Sequence, residues 1–188
     1  MKPHPNETTL IQEARQGDEG ALGELYRHYV DAIYRYMFYR SGDKMVAEDL
    51  TAEVFTNMIT SMPSYQDWGL PFGAWLFRIA RARLADYWRG VERREKYQAS
   101  LTDDISRTLT QSLTRDPFRY EVLETAFEYL TDAEREALLL RFVEDLSNRE
   151  IALVIHSNEN AVKVKIFRAL KKLRRILSQR AQADTNHP

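Results

Sequence analysis

The chain has 188 residues, a hydrophobic content of 44% and a formal net charge of −1, which suits one packed domain or two small ones. It has no cysteine, which excludes a disulfide framework, a thiolate metal site and an internal redox switch. Its four histidines are scattered and do not have the spacing of zinc ligands. The N-terminus lacks the apolar core of a signal peptide, and no stretch reaches the roughly 20 apolar residues of a membrane span, so a cytoplasmic protein is expected.

The periodicity of the apolar residues predicts an all-α protein. Apolar side chains recur close to every 3.6 residues along most of the chain, and only seven glycines and six prolines interrupt them. Helices are predicted at about 8–16, 21–39, 44–62 and 72–98. On the third of these, the predicted inward face includes Ile59.

A change of composition divides the chain in two. Residues 99–116 are rich in Ser and Thr, weakly apolar and followed by Pro117, which is typical of a linker. Helices are predicted again at 120–130 and, after a capping box formed by Thr131 and Glu134, as far as residue 142. The expected fold is two small helical domains, 1–98 and 119–180, joined by a flexible linker at 99–118 and followed by a tail at 181–188.

Residues 147–177 have the pattern of a helix-turn-helix whose second helix is basic. Ser147 and Glu150 form a second capping box, residues 156–158 break the helix, and Asn158 can cap the next one. The predicted inward stripe of that helix includes Leu170. Its other positions carry seven Lys and Arg side chains, and a capped helix followed by such a basic helix favours a DNA-binding function over a plain solvated surface.

The distribution of charge supports a nucleic-acid partner although the net charge does not. Residues 61–96 carry a net charge of +3 and residues 161–188 carry +7, whereas residues 1–60 and 97–160 carry −4 and −7. Phosphate contacts contribute affinity in proportion to the phosphates neutralised, so two basic islands predict two separate DNA contacts. The acidic blocks predict that the free protein binds DNA poorly and needs a partner that presents both islands.

Four motifs, in order, resemble one family. They are AEDLTAEVF at 47–55, FGAWLFRIARARLADYWR at 72–89, LTDAEREALLLRFVEDLSNREIA at 130–152 and AVKVKIFRALKKLRR at 161–175. Together they resemble the extracytoplasmic-function, or group 4, sigma factors of bacterial RNA polymerase, members of the sigma-70 family that keep only regions two and four. The resemblance implies that 1–98 is region two and 119–180 is region four.

The resemblance implies a polymerase-binding helix near residue 50. In the family, this acidic helix docks on the clamp helices of the largest subunit of core polymerase. Two acids four residues apart share one side of a helix and suit a basic partner. Relatives often carry Gln where this chain has Ala52. The implied contact residues are Glu48, Asp49, Glu53, Val54 and Phe55.

The resemblance also implies recognition of a single-stranded minus-ten element. A base that leaves its stack needs a pocket or an aromatic surface, and the segment 64–72 offers hydrogen-bonding and stacking groups between two helices, with Tyr65 as a packed anchor. Arginines on the next helix are suited to the phosphates. Many relatives carry Asn where this chain has Ala82. The implied contact residues are Gln66, Asp67, Trp68, Arg78, Arg81 and Arg83.

The helix-turn-helix would read the minus-thirty-five element in the major groove, with the start of the second helix against the base edges. Residues 171–175 are expected to contact phosphates or the polymerase flap. Relatives commonly carry Gly and an apolar residue where this chain has His156 and Ser157. The implied contact residues are Asn158, Glu159, Asn160, Lys163, Lys165 and Arg168.

The predicted function is therefore promoter recognition and strand opening as an RNA polymerase sigma factor. The partners are core polymerase, through its clamp helices and flap, promoter DNA, and an anti-sigma protein that the family makes a reasonable expectation, with no membrane insertion. The alternatives are a helix-turn-helix regulator that acts without polymerase and a helical adaptor. No phosphate loop, metal cluster or nucleophile motif favours an enzyme, and no cofactor or metal is expected.

Overall fold

The computed structural model describes residues 3–66, 71–101 and 129–185, with side chains through 94 and 179 in the last two ranges. The chain forms two compact units, Met1–Leu113 and Thr114–Pro188. Every regular element in the described ranges is helical, which confirms the predicted all-α class. None of the helices in these ranges combines the length and apolarity of a transmembrane span.

The described part of the first unit contains four helices and one short 3-10 turn. Their positions follow the predicted pattern closely: α1 is Glu7–Arg15, α2 is Glu19–Ser41, α3 is Lys44–Ser61, the 3-10 turn is Met62–Ser64 and α4 is Phe72–Leu101. Helix α2 packs against α1, α3 and α4.

Two aspartates and one glycine set the ends of these helices. The Asp18 carboxylate accepts a hydrogen bond from the Ala21 backbone N–H at 2.7 Å and caps α2, and Asp43 caps α3 in the same way. Gly42 ends α2 with φ of 75°, a left-handed conformation that glycine adopts without steric cost. The turn between α2 and α3 is thereby fixed by local chemistry.

The core of the first unit is aromatic. Tyr36 lies edge-to-face on Phe77 at 5.5 Å between ring centroids, and Tyr29 packs on Phe72 at the same distance. All four rings are essentially inaccessible to solvent. Ile59, predicted to face inward, is 50% exposed, so that prediction is wrong; Met58 already fills the inward position, and Ile59 is turned a further 100° around α3.

The second unit is built from three helices in its described part. Helix α5 is Asp132–Leu138 and continues into one π turn, Leu139–Val143; α6 is Asn148–Val154 and α7 is Glu159–Thr185. Both predicted capping boxes, Thr131 with Glu134 and Ser147 with Glu150, are confirmed. Residues 120–128 of the helix predicted at 120–130 lie outside the described residues.

Helix α7 packs on both α5 and α6. Its inward stripe is Val162, Ile166, Ala169 and Ile176, facing a core that includes Leu140, Leu146 and Ile151. Leu170 was predicted to face inward but is 43% exposed, because Ala169 occupies the core position and the next residue turns 100° away from it. The side chains on the opposite side of α7, Lys163, Val164 and Phe167 among them, are exposed.

Candidate nucleic-acid interface

The turn between α6 and α7 is closed by its own backbone. The Ile155 N–H donates to the Ile151 carbonyl at 2.9 Å. The Ser157 N–H donates to the Ala152 carbonyl at 2.8 Å, which is the 6→1 hydrogen bond of a helix C-terminus. This Schellman arrangement requires a left-handed residue, and His156 supplies it with φ of 53°. The turn reaches the usual geometry with a residue other than glycine.

Helix α7 begins at its predicted cap. The Asn158 side-chain oxygen accepts a hydrogen bond from the Ala161 N–H at 2.8 Å. Because the cap fixes where the helix starts, it also fixes which side chains point away from the core.

The outward face of α7 combines polar and apolar side chains. Asn160, Lys163, Val164 and Phe167 recur at i, i+3, i+4 and i+7 and therefore share one face. All four are exposed; Val164 is 47% exposed and Phe167 is 67% exposed. This face therefore presents two apolar side chains beside hydrogen-bonding groups.

The predicted minus-thirty-five residues lie at the start of this helix. Asn158, Glu159 and Asn160 are exposed, as are Lys163 and Arg168, whereas Lys165 is half-buried at the flank. Glu159 and Lys163 form an ion pair with 2.9 Å between carboxylate oxygen and ammonium nitrogen. Two candidate contacts are thus paired with each other.

The basic run that follows is not uniform. The Lys172 ammonium donates a 2.8 Å hydrogen bond to Glu134, while Lys171, Arg174 and Arg175 are exposed. Burial raises the pKa of Glu134, but hydrogen bonds from Lys172 and from the backbone and hydroxyl of Thr131 outweigh it and hold that pKa below its ordinary value. Lys172 therefore joins α7 to the capped start of α5.

In the first unit, arginines form the outward side of α4. Arg78, Ala82, Arg89 and Arg93 follow one another at intervals of four and seven residues and share a face, and all are exposed. Arg81 and Arg83 are half-buried and flank this face on either side. The three predicted arginines are thus divided, with Arg78 central and the other two at the edges.

The segment before α4 is anchored as predicted. Tyr65 is 6% exposed, and its ring packs against Trp75 at 4.7 Å and against Phe72 at 5.5 Å. Gln66, the next residue, is exposed. Asp67 and Trp68, the other two predicted contacts of this segment, lie outside the described residues.

The predicted polymerase-binding residues divide into surface and core. Glu48, Asp49 and Glu53 are exposed on α3. Val54 is fully buried, and Phe55 is 3% exposed and packs its ring on Tyr26 at 4.7 Å. The acids form the accessible side of the helix, and Phe55 packs it on α2.

Three side chains of these faces were missed by sequence analysis. Val164 and Phe167 were unassigned, although their spacing from Asn160 and Lys163 places them on the same face. Asp86, at three residues from both Arg83 and Arg89, was also unassigned, and it forms ion pairs with both. Across residues 3–66, 71–101 and 129–185, no three His, Asp or Glu side chains are grouped as a metal site requires.

Comparison with known proteins agrees with this arrangement. Residues 25–94 match the model of sigma-70 region 2, and residues 120–173 match the model of sigma-70 region 4. The chain is 31% identical over 171 residues to the ECF RNA polymerase sigma factor SigD of Mycobacterium tuberculosis, covering 88% of this chain and 81% of SigD. The chain belongs to the extracytoplasmic-function sigma factors.

One further relative and one solved structure extend the comparison. This sigma factor is 35% identical over 176 residues to the ECF RNA polymerase sigma factor BldN of Streptomyces coelicolor, covering 92% of this chain and 66% of BldN. Its fold is similar to that of the sigma factor RpoE in a co-crystal structure with the anti-sigma factor NepR from Bartonella quintana. The TM-score is 0.63 at 20% identity, and the match covers 83% of this chain and 96% of RpoE.

Proposed function

We propose that this sigma factor, held on core RNA polymerase, reads a minus-thirty-five element with α7 and a minus-ten element with α4 and the segment that begins at Gln66. The observation that carries the proposal is the outward face of α7, where Asn160, Lys163, Val164 and Phe167 are exposed together at the capped start of a basic helix.

The chemistry of that face suits a major groove. The groove admits one α-helix, and each base pair presents its own set of donors, acceptors and methyl groups there. Asn160 and Lys163 can hydrogen-bond to purine edges, and Phe167 can pack against a thymine methyl group. Arg168 and the exposed cations at 171, 174 and 175 can contact phosphates on either side. Base reading and backbone contact are thus supplied by one helix.

The outward side of α4 suits a strand that leaves its duplex. Arg78, Arg89 and Arg93 provide a line of guanidinium groups for phosphates. Trp88 is 42% exposed and lies edge-to-face on Tyr87 at 5.2 Å, so it offers an aromatic surface near the same line. An unstacked base gains roughly 1 to 3 kcal/mol from such an aromatic surface.

We propose that the acids of α3 bind the clamp helices of polymerase. Glu48, Asp49 and Glu53 give this helix a negative accessible side, which complements a basic partner. Val54 and Phe55 act from the core, because the burial of Val54 and the packing of Phe55 on Tyr26 fix the direction in which the acids point.

These surfaces are suited to binding, and we propose that the protein is not an enzyme. We also propose that it acts in the cytoplasm, where polymerase and promoters meet. We also propose an anti-sigma protein as a partner, along with the polymerase flap. Phe142 and Val143, 61% and 42% exposed on the π turn after α5, support this proposal because a partner could cover them.

The test is transcription with reconstituted holoenzyme. Start sites are mapped across the source genome, and a shared two-block promoter motif is expected. On such a promoter, Lys163→Ala is expected to lose about 1 to 3 kcal/mol of discrimination at one minus-thirty-five base, seen as a loss of about 5- to 160-fold in promoter selection. Arg15→Ala removes the same charge from an exposed position on α1 and serves as the control.

The base-reading role predicts a specific pattern. The defect of Lys163→Ala is expected to disappear on a promoter changed at the base that Lys163 reads, whereas a defect that is equal on all promoters would identify a phosphate contact. Unchanged transcription by the Lys163 variant would contradict the proposal for α7. Failure of the purified chain to associate with core polymerase would contradict the proposed function as a whole.

A further inference from the structure

Asp86 lies between two arginines on α4. One carboxylate oxygen is 2.7 Å from the Arg83 guanidinium, and the other accepts a hydrogen bond from Arg89. Each arginine is three residues from Asp86, so one carboxylate reaches both along one helix. Arg93 adds a further contact to this series, because its Nε–H donates to the Arg89 carbonyl at 3.2 Å.

Asp86 is charged under neutral conditions. The hydrogen bond from Arg89 lowers the pKa of Asp86, and the positive charges of Arg83, Arg89 and Arg93 add to that effect against the opposing influence of burial. Both ion pairs are accessible to solvent, since the side chains of Arg83, Asp86 and Arg89 are 37%, 42% and 68% exposed. Ion pairs with this exposure are weak and can be displaced.

A carboxylate and a phosphate compete for the same guanidinium group. Both present oxygen acceptors to its N–H groups with similar geometry. A phosphate that approaches Arg83 or Arg89 therefore competes with Asp86 for the guanidinium donors. A strand that is held in place by other contacts can displace the carboxylate, whereas a strand in loose encounter gains less from the exchange.

We propose that Asp86 is a specificity-determining residue of this sigma factor. Its carboxylate pairs with Arg83 and Arg89 until a correctly placed strand displaces it, and this pairing weakens binding to non-cognate DNA. The proposal rests on the proposed function of α4 as a DNA-contacting helix. It gives Asp86 a role opposite to that of its neighbours, because its removal is expected to strengthen binding.

The chain offers a matched control on the same helix. Glu92 is exposed and forms no ion pair with another described side chain. Glu92→Gln removes one negative charge, as Asp86→Asn does, but leaves the pairs of Arg83 and Arg89 in place. The difference between the two variants isolates the release of the arginines from the change in net charge.

The first measurement uses the purified full chain without polymerase. Binding to a fluorescein-labelled single-stranded oligonucleotide of non-promoter sequence is followed by anisotropy over a range of salt concentrations. For single strands, the logarithm of affinity falls with a slope of about 0.7 for each phosphate neutralised, so release of two arginines is expected to steepen the slope by about 1.4. Each tenfold reduction in salt concentration would then raise the affinity of Asp86→Asn for the oligonucleotide, relative to that of wild type, by about another 25-fold. Glu92→Gln is expected to keep the wild-type slope.

The second measurement uses holoenzyme. Asp86→Asn is expected to lower the ratio of cognate to non-cognate promoter binding, since the non-cognate DNA gains contacts that the cognate DNA already has. Far-ultraviolet circular dichroism of each variant, compared with wild type, checks that the exposed substitutions leave the helices intact.

Arg83→Ala and Arg89→Ala separate the two proposals. If these variants flatten the salt dependence but Asp86→Asn has the same slope as Glu92→Gln, the role of Asp86 is overturned and that of α4 stands. If the arginine variants bind cognate promoter DNA in holoenzyme as wild type does, both the contact role of α4 and the inference drawn from it are overturned.

Discussion

Glu134 connects three parts of the second unit, so its replacement has a predictable cost. One carboxylate oxygen accepts hydrogen bonds from the Thr131 backbone N–H at 2.9 Å, the Thr131 hydroxyl at 3.1 Å and the Lys172 ammonium at 2.8 Å. The side chain is only 10% exposed, while that of Lys172 is 38% exposed. Glu134→Ala removes both the capping box of α5 and the ion pair to α7.

The two contributions can be separated by a second variant. A capping element contributes roughly 1 kcal/mol, and the ion pair adds about 1 kcal/mol or less because Lys172 is partly solvated. We therefore expect Glu134→Ala to lower the free energy of unfolding by about 2 kcal/mol, or about 8 to 16 °C in Tm for a unit of this size. Glu134→Gln keeps a capping oxygen, so about half of that loss is expected.

The positions of the tryptophans allow the second unit to be assayed within the full chain. Trp68, Trp75 and Trp88 are the three tryptophans of the chain, and all belong to the first unit, Met1–Leu113. Tryptophan fluorescence therefore follows the first unit, and circular dichroism at 222 nm follows both. We expect the Glu134 variants to shift only the dichroism transition.

Two comparisons would refute this reasoning. Asp132→Asn changes a side chain that is 78% exposed and paired with Arg135, and little shift is expected. If Glu134→Gln shifts Tm no more than that control does, the ion pair contributes nothing measurable. If Glu134→Gln is equally destabilising in a Lys172→Met background, the two residues are not coupled and the proposed link between α5 and α7 is wrong.

Three further predictions concern the cap of α6, the aromatic core of the first unit and the pKa of Glu134. Ser147→Ala removes the cap of α6 and is expected to cost about 1 kcal/mol, seen as a lower dichroism Tm; an unchanged Tm would show that the cap contributes nothing. Phe77→Ala empties part of the aromatic core and is expected to cost about 3 to 5 kcal/mol, seen by tryptophan fluorescence, and a loss under about 1 kcal/mol would contradict that packing. Because folding lowers the pKa of Glu134, its stabilisation is complete above the ordinary value of 4.5 and is lost as pH falls from there through the folded pKa. Dichroism melts of Glu134→Gln should therefore depend less steeply on pH below about 5 than those of wild type, and equal dependence would refute the assignment.

Local patterns predicted most of the helical elements. The capping boxes at Thr131 and Ser147 and the cap at Asn158 act within one turn of chain, so the residues alone identify them. The family, and with it the function, also followed from motifs that are continuous in sequence.

Side-chain exposure was harder to predict, because it depends on which neighbouring helix fills each position. Ile59 and Leu170 are apolar and lie beside their stripes, and only the packing of Met58 and Ala169 shows that they face outward. The pairing of Lys172 with Glu134 joins residues 38 apart, which no local spacing reveals. Phe167 was missed for the same reason, since an aromatic residue on a helix is ordinarily counted toward the core.

Helix α4 continues unbroken from Phe72 to Leu101, and this continuity fixes a distance. With a rise of 1.5 Å per residue, Arg78 and Arg93 lie about 22 Å apart along the axis. A nucleic-acid strand that touches both must span that interval, which equals about six to seven nucleotides at the roughly 3.4 Å spacing of a strand in a B-form duplex. The helix thus fixes the spacing of these two contacts. One alanine inserted at its midpoint would rotate its far half by about 100°, so that Arg78 and Arg93 would no longer share a face.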